Sequence, residues 1–171
     1  MRTSSLLQAL TFAAVFPSFS FLAGPAVAGC TDPPEPKVNW QRCAFDRENL
    51  KGVDLSGARL RDGSFFRTNL SEADLSAVSA FRAKFVNAVL IDARFDKAKL
   101  EGADFTKADL SDASFVDADL RRVRLFRATL RGANLTGARM GGADLNQADL
   151  SGATWIDGKR TCAEGSIGRC N

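Results

Sequence analysis

The residues of this chain best suited to chemistry are four cysteines, which form two close pairs along the sequence: Cys30 with Cys43, and Cys162 with Cys170. Thiols can ligate a metal, act as nucleophiles or join as disulfides. A metal site is disfavoured because the chain has no histidine. An even number of cysteines in a chain with an export signal, described below, favours disulfides. We therefore predict that each cysteine pairs with its near neighbour and that no metal is bound.

Catalysis has little support in the residue types present. The chain has no histidine and no tyrosine, so the usual general base at neutral pH is missing. Oxidised cysteines would not act as nucleophiles. We predict a protein that is not an enzyme, with no catalytic residues and no cofactor.

The element that must position any binding residues is a run of apolar residues at every fifth position from Phe45 to Trp155. Only Ala80 is small among these 23 positions, and 16 of the 23 positions two residues earlier are alanine. A period of five matches neither a helix nor a strand. Repeats this short indicate a solenoid, in which each unit buries its apolar residue by stacking on its neighbours.

The repeated motif is alanine, then Asp or Asn, then Leu or Phe, as in Ala103-Asp104-Phe105 and Ala133-Asn134-Leu135. It resembles the pentapeptide-repeat family over about two thirds of the chain. The resemblance implies an all-β solenoid, a right-handed quadrilateral β-helix with four pentapeptides per coil and the apolar positions pointing inward. Residues 45–155 would then form about five and a half coils of 20 residues.

Residues 20 apart should stack into columns in such a coil. The columns are homogeneous, which supports this step: one is entirely leucine, and another begins with four phenylalanines, Phe45, Phe65, Phe85 and Phe105. Stacked like side chains are expected where packing along the axis is tight. At ~4.8 Å per coil the rod would be ~26 Å long.

The same 20-residue step aligns outward residues into one candidate binding site. Two residues after the phenylalanine column come Arg47, Arg67, Asn87, Lys107, Arg127 and Gln147. Phe66 and Phe126 precede two of these arginines and should also face outward. Such a basic stripe with aromatic edges could hold an anionic lipid headgroup, cell-wall polymer or acidic protein. A solvated charged face is the alternative. The candidate binding residues are Arg47, Phe66, Arg67, Lys107, Phe126 and Arg127.

Two other positions leave alternatives open. Glu72, Asp92 and Asp112 form an acidic ladder, which is either a cation site or a set of charges screened by neighbouring arginines. At Ala80, either the chain bulges and Phe81 tucks into the missing leucine position, or the repeat is degenerate and leaves a small void.

The first 28 residues predict a secretory signal peptide. Arg2 supplies a positive start, the segment 6–22 is mostly apolar, and Ala26-Val27-Ala28 offers the small residues of a cleavage site. A competing signal is Val27-Ala28-Gly29-Cys30, which resembles a lipoprotein box with Cys30 as the lipidated residue. We expect an exported protein, periplasmic or secreted, without a membrane span in its mature form.

The mature chain would have a net charge of +2, from 22 basic and 20 acidic residues. The best-known members of the family resembled here are strongly acidic DNA mimics that bind gyrase, and this charge and the export signal argue against that role. Nucleic-acid binding is also not expected, because the charges are mixed along the sequence.

The predicted organisation is a signal peptide at 1–28, an N-terminal cap at 29–44, the β-helix at 45–155 and a disulfide-stapled cap at 156–171. The predicted function is an exported, non-catalytic structural or interaction module of the bacterial cell envelope, with an unidentified protein or envelope component as partner. One alternative is a lipid-anchored periplasmic binding protein that docks through the basic and aromatic stripe. The other is the gyrase-binding DNA mimic.

Overall fold

The computed structural model describes residues 29–171, so the predicted signal peptide at 1–28 lies outside the described residues. In this part of the chain there is no helix, and each strand is a single bridged residue. Bridged residues recur every five positions from Asn39 to Thr154, with a two-residue turn between one and the next. The five-residue period is therefore the period of a strand and its turn.

The bridges between successive coils are parallel, and each joins a residue to the one 20 positions later, from Asn39 with Arg59 to Asn134 with Thr154. The backbone hydrogen bonds follow the same step. The N–H of Phe65 donates to the carbonyl of Lys84 at 2.8 Å, and the N–H of Lys84 donates to the carbonyl of Gly63 at 2.9 Å. Each pass of 20 residues, with four turns, thus satisfies its backbone polar groups on the passes above and below.

The four sides of the 20-residue pass are named here by their inward columns. Face 1 carries the column that begins at Phe45, face 2 the column at Leu50, face 3 the column at Leu55 and face 4 the column at Trp40. Adjacent faces meet at corners made by the turn residues, and each corner is named by its two faces. Corner 1/2, for example, contains residues 46–47, 66–67 and their equivalents at 20-residue steps.

Each turn places its second residue in the left-handed region, as in Gly57 with φ +67°. The residue before it is not left-handed, and the carbonyl of Leu55 accepts from the N–H of Ala58 at 2.9 Å, which is the pattern of a type II turn. The Asp or Asn of the motif stabilises the turn: Asp54 Oδ1 accepts from the N–H of Ser56 at 2.9 Å. These contacts explain why Asp and Asn recur beside the core residue.

The core contains the stacked columns that the 20-residue step predicts. On face 1 the rings of Phe65, Phe85 and Phe105 are nearly parallel, with centroids 5.0 and 4.9 Å apart. On face 3 Phe95 stacks on Phe115 at 5.1 Å, and these rings meet the face 1 rings edge-on, as between Phe95 and Phe105. Offset-stacked and edge-on pairs of this kind stabilise an apolar core beyond the area that they bury.

The N-terminal end differs from the predicted cap. The bridge ladder already begins at Asn39, six residues before Phe45, and Trp40 occupies a regular core position with 1% of its surface exposed. Its ring centroid lies 4.1 Å from that of Phe45, and its Nε1–H donates to the carbonyl of Asp32 at 3.2 Å. Trp40 therefore belongs to the first coil and does not merely cover it.

The C-terminal end turns back on the rod. Ile167 and Thr161 form antiparallel bridges with Asp149 and Thr154, so the tail covers the exposed edges of faces 2 and 3. The structure joins Cys162 to Cys170, with Cα atoms 4.8 Å apart, and joins Cys30 to Cys43 at the other end, with Cα atoms 5.4 Å apart. These are the two pairs that the sequence analysis favours.

The chain does not bulge at Ala80. The N–H of Ala80 donates to the carbonyl of Lys99 at 2.9 Å in the regular register, and Ala80 is fully buried. Phe81 stays at the corner, half-buried, where Arg61 and Arg82 lie against its ring. The hypothesis that Phe81 fills the leucine position is therefore wrong, because the continuous backbone ladder holds Phe81 outside.

Candidate binding face

The most basic surface of the rod is face 1 together with its two flanking corners, 4/1 and 1/2; this surface is called the basic face. Its outward residues are those of face 1 (Ala44, Ser64, Lys84, Asp104, Arg124, Asp144) and the turn residues of both corners. The basic face carries 11 basic and 5 acidic side chains, a net charge of +6. The basic residues are Arg42, Arg47, Arg61, Arg67, Arg82, Lys84, Lys107, Arg121, Arg122, Arg124 and Arg127.

The opposite side of the rod is acidic. Faces 2 and 3, with corners 2/3 and 3/4, carry 4 basic and 11 acidic side chains, a net charge of −7; the acidic count includes Glu48, which is exposed at an inward position of face 2. The charges that are mixed along the sequence are therefore segregated around the axis of the folded rod. Sequence reasoning missed this separation because it took the order of charges along the chain as their order in space.

Three phenylalanines among the described residues lie outside the core, and all three belong to the basic face. Phe66 and Phe126 lie at corner 1/2, and the guanidinium carbons of Arg67 and Arg127 lie 4.9 and 5.0 Å from their ring centroids. At corner 4/1 Phe81 contacts two arginines, Arg61 at 5.1 Å and Arg82 at 5.0 Å. Contacts of this type hold a long, flexible side chain in one orientation.

The structure brings all six sequence-predicted binding residues to corner 1/2. Arg47, Arg67, Lys107 and Arg127 occupy the left-handed turn position, with φ between 57° and 65°, and their side chains are exposed. Phe66 and Phe126 are half-buried and stand three coils apart, about 14 Å at the usual strand spacing. The aromatic edges of the stripe are therefore two separate points and not a continuous strip. Binding by these residues stays a prediction.

Sequence reasoning missed the second row of the site, at corner 4/1. Along the chain Phe81 stands out as the neighbour of the small core residue Ala80 and not as a partner of Arg61 and Arg82. The signal was available in the 20-residue step, since Arg61 lies directly below Phe81 and Arg82 follows it in the same turn.

Ion pairs neutralise three of the five acidic residues of the basic face. Asp62 pairs with Arg82 at 2.9 Å, Glu101 with Arg121 at 2.9 Å and Asp104 with Arg124 at 3.4 Å. The hydrogen bond from Arg82 lowers the pKa of Asp62, so this carboxylate is charged at neutral pH. The other two acids, Asp46 and Asp144, lie in the first and last coils. The centre of the face is therefore cationic.

Several cations of the basic face form no ion pair within the described part of the chain, although Arg42 and Arg61 lie near enough to Asp62 to lower the pKa of that carboxyl. The cations without an ion pair are Arg42, Arg47, Arg61, Arg67, Lys84, Lys107 and Arg127. Arg127 instead donates through Nε to the amide oxygen of Gln147 at 2.6 Å, which fixes its stem and leaves its charge uncompensated. These side chains are available to an anionic partner.

The acidic ladder on corner 2/3 gives no sign of a cation site. Glu72 forms an ion pair with Lys51 at 3.0 Å, and both side chains are exposed. No group of acidic residues or cysteines between residues 29 and 171 has the arrangement needed to hold a metal ion. That region also has no pocket for a small molecule. It forms no helix, and so it contains no helix that could cross a membrane.

The fold and the site together define a class: a parallel β-helix of five-residue strand-and-turn units whose polar surface carries the candidate site. Eight copies of the pentapeptide repeat are matched in this chain, at residues 49–85, 68–112, 83–122 and 124–154. The chain therefore belongs to the pentapeptide-repeat family, as the motif indicated. Family members of known structure are right-handed quadrilateral β-helices.

Solved structures of the same family are similar to the chain. Rfr23, a pentapeptide repeat protein from the cyanobacterium Cyanothece 51142, is 24% identical, with a TM-score of 0.62, over 66% of this chain and 90% of its own. HetL, involved in heterocyst differentiation regulation in Nostoc sp. strain PCC 7120, is 24% identical over 72% of this chain and 92% of its own, with a TM-score of 0.34. A pentapeptide repeat protein from the Arabidopsis thaliana thylakoid lumen is 22% identical over 66% of this chain and 68% of its own, with a TM-score of 0.29. Rfr23 supports the fold; the other two superpose too loosely to support an argument. No curated protein matches the chain.

Proposed function

We propose that this chain is an exported, non-catalytic binding rod of the bacterial cell envelope, a solenoid of about six coils once the coil that begins at Asn39 is included, and that it presents its basic face to a partner. The observation that carries the proposal is the separation of charge around a regular rod that has no pocket among its described residues. A surface of this kind suits recognition of an extended partner better than conversion of a small substrate.

Export is supported by sequence features and by the cysteines. The small residues Ala26 and Ala28 precede Gly29, and all four cysteines after that point are paired as disulfides. Disulfides persist in oxidising compartments such as the periplasm. Each disulfide closes one end of the rod, where repeat proteins fray.

The lipid-anchored alternative conflicts with the N-terminal disulfide. Lipidation would use the sulfur of Cys30, which bonds to Cys43 in the structure. Cys43 is 1% exposed, so the lipoprotein would contain a buried free thiol beneath its anchor. The soluble form leaves no cysteine of the described chain unpaired.

Intact-mass analysis of the full-length chain expressed in a bacterium tests these statements. We expect a periplasmic product that begins at Gly29 and is four hydrogens lighter than the reduced chain. An acylated Cys30 would establish the lipoprotein instead. A cytoplasmic product that retains residues 1–28 would reject export altogether.

A further inference from the structure

We propose that the basic face binds a linear, phosphate-bearing polyanion that lies along the axis of the rod. The inference rests on the proposed function only in treating the rod as a binding module; it does not depend on export. The cations that form no ion pair lie in rows that run parallel to the axis, and a chain with regularly spaced negative charges matches rows better than a compact anion does.

The first row is at corner 1/2, and the second, which contains Arg42 and Arg61, is at corner 4/1. In the first row Arg47, Arg67, Lys107 and Arg127 occupy the same turn position in successive coils, except that Asn87 interrupts the row. The row spans four coil steps, about 19 Å at the usual strand spacing. Lys84 lies on the flat face between the two rows. A partner that contacts the whole first row must therefore be elongated along the axis.

The arginines of the basic face are positioned before any partner arrives. Arg67 and Arg127 rest on Phe66 and Phe126, and Arg61 rests on Phe81. An arginine held over a ring in this way still has N–H groups that can donate two hydrogen bonds to a phosphate. Because the side chain is already ordered, binding costs less conformational entropy than it would at a free surface arginine.

The same contacts argue against recognition of nucleic-acid bases. Proteins that bind single strands stack bases on exposed aromatic faces. Here the outward rings are half-buried and have arginines over them. A polymer recognised only through its phosphates therefore fits better than one recognised through bases.

Lys107 and Lys97 provide a matched test because they lie on opposite corners, 1/2 and 3/4, half a coil apart. Both are exposed and left-handed, with φ of 57° and 58°, and neither has an acidic partner in the described residues. Glu72 occupies the equivalent turn position with φ 61°, so the backbone there accepts glutamate. Lys107→Glu and Lys97→Glu should therefore fold equally well, which circular dichroism checks.

The probe is polyphosphate of about 45 units, and binding to the purified, disulfide-intact chain is measured at several salt concentrations. We expect Lys107→Glu to weaken binding roughly tenfold and Arg67→Glu/Arg127→Glu to weaken it further, with Lys97→Glu close to the parent. If about four cations contact the polymer, a plot of the logarithm of the binding constant against the logarithm of the salt concentration should have a slope of about −3. Tripolyphosphate, which is too short to follow a row, should bind much more weakly.

Four results would overturn the proposal. Equal losses in Lys97→Glu and Lys107→Glu would show that net charge alone matters. Equal affinity for tripolyphosphate and for the long polyphosphate would show that the partner does not bind as an extended chain along a row. Tighter binding of oligothymidylate at equal charge would indicate base recognition. Binding to vesicles with 30% phosphatidylglycerol, without binding to polyphosphate, would make the face a membrane-docking surface. Failure of any of these tests leaves the intact-mass test of export unaffected.

Discussion

The second residue of each turn determines how charge is displayed on this rod. Seventeen non-glycine residues adopt the left-handed conformation in the described chain, nearly all of them at this position. For an ordinary L-residue the left-handed conformation costs on the order of 1 kcal/mol or more. The regular backbone ladder on both sides supplies the stabilisation that holds these residues there, and it aims their side chains into solvent.

Replacement of Ala77 by glycine should increase the free energy of unfolding of the chain. Ala77 is exposed and left-handed, with φ 55°, so Ala77→Gly relieves the backbone without removing a buried contact. We expect about 0.5–1 kcal/mol of stabilisation in denaturant unfolding, after the extra entropy of glycine in the unfolded chain is deducted. Ala44→Gly is the control, because Ala44 is exposed in a bridge and not left-handed; it should destabilise by a similar amount. Destabilisation by both variants would contradict the argument.

Asp119 is the most buried carboxylate of the rod and the centre of a charged cluster on face 4 and corner 4/1. It accepts from Arg121 Nε at 2.8 Å and from Arg139 at 2.6 Å, and Arg121 also contacts Glu101 at 2.9 Å. The hydrogen bond from the Arg121 side chain lowers the pKa of Asp119 against the opposing effect of burial. Hydrogen bonds to charged groups in such a setting are stronger than those on an open surface.

The cluster should make the folded state sensitive to acid. Because the pKa of Asp119 is lower in the folded chain, its contribution is complete above the unfolded pKa of about 3.9 and is lost as the pH falls through the lower folded value. We expect Asp119→Asn to destabilise the rod at pH 7 by about 1–2 kcal/mol and by clearly less at pH 2. Chemical unfolding at both pH values measures this. Asp92→Asn, at an exposed corner, should change little; an equal effect of Asp119→Asn at both pH values would reject the linkage.

At the scale of the element, the two ends of the rod are closed differently. The N-terminal coil, which contains Trp40, is closed by the segment that the Cys30–Cys43 disulfide ties down. At the other end the antiparallel tail covers only faces 2 and 3, through Asp149 and Thr154. Unpaired strand edges promote association between chains, so the tail acts as an edge cover as well as a staple.

Removal of the C-terminal disulfide should therefore affect association as well as stability. We expect Cys162→Ala/Cys170→Ala to lower the free energy of unfolding by about 2–3 kcal/mol, because the unfolded chain gains entropy. The released tail would also expose the edge of the last coil, so light scattering should show a concentration-dependent increase in size. The variant Arg169→Ala, in the same loop with the disulfide intact, should remain monomeric if the parent is. A monomeric cysteine variant would contradict the edge-cover role.

The sequence predicted the regular part of this fold well because the relevant signals are local and repeated. A five-residue period identifies the strand-and-turn unit, and the homogeneous columns identify the 20-residue step. The ends could not be predicted in the same way: Trp40 lies in a segment rich in proline, and the antiparallel tail has no repeat. The second row of the basic face was missed because Phe81, Arg61 and Arg82 come together only across adjacent coils.

At the scale of the whole molecule, the 20-residue step aligns both the inward and the outward residues along the axis of the rod. Inward residues form uninterrupted apolar columns, and outward residues separate into a basic and an acidic side. Each coil buries its apolar residues only against its neighbours, so stability is a sum over adjacent coils. Continuous columns make every such interface strong, and strong interfaces make a repeat protein unfold as one unit.

The two tryptophans can test this cooperativity because they lie near opposite ends of the rod. Trp40 is buried in the first coil, and Trp155 lies half-buried in the last. In Trp155→Phe the remaining fluorescence reports the N-terminal end, and in Trp40→Phe it reports the C-terminal end. Within each variant we expect the fluorescence midpoint in guanidinium chloride to coincide with the midpoint from far-ultraviolet circular dichroism, which averages over all coils. Fluorescence that changes at lower denaturant than circular dichroism in either variant would show that this end frays independently, and the columns would then not couple the coils along the whole rod.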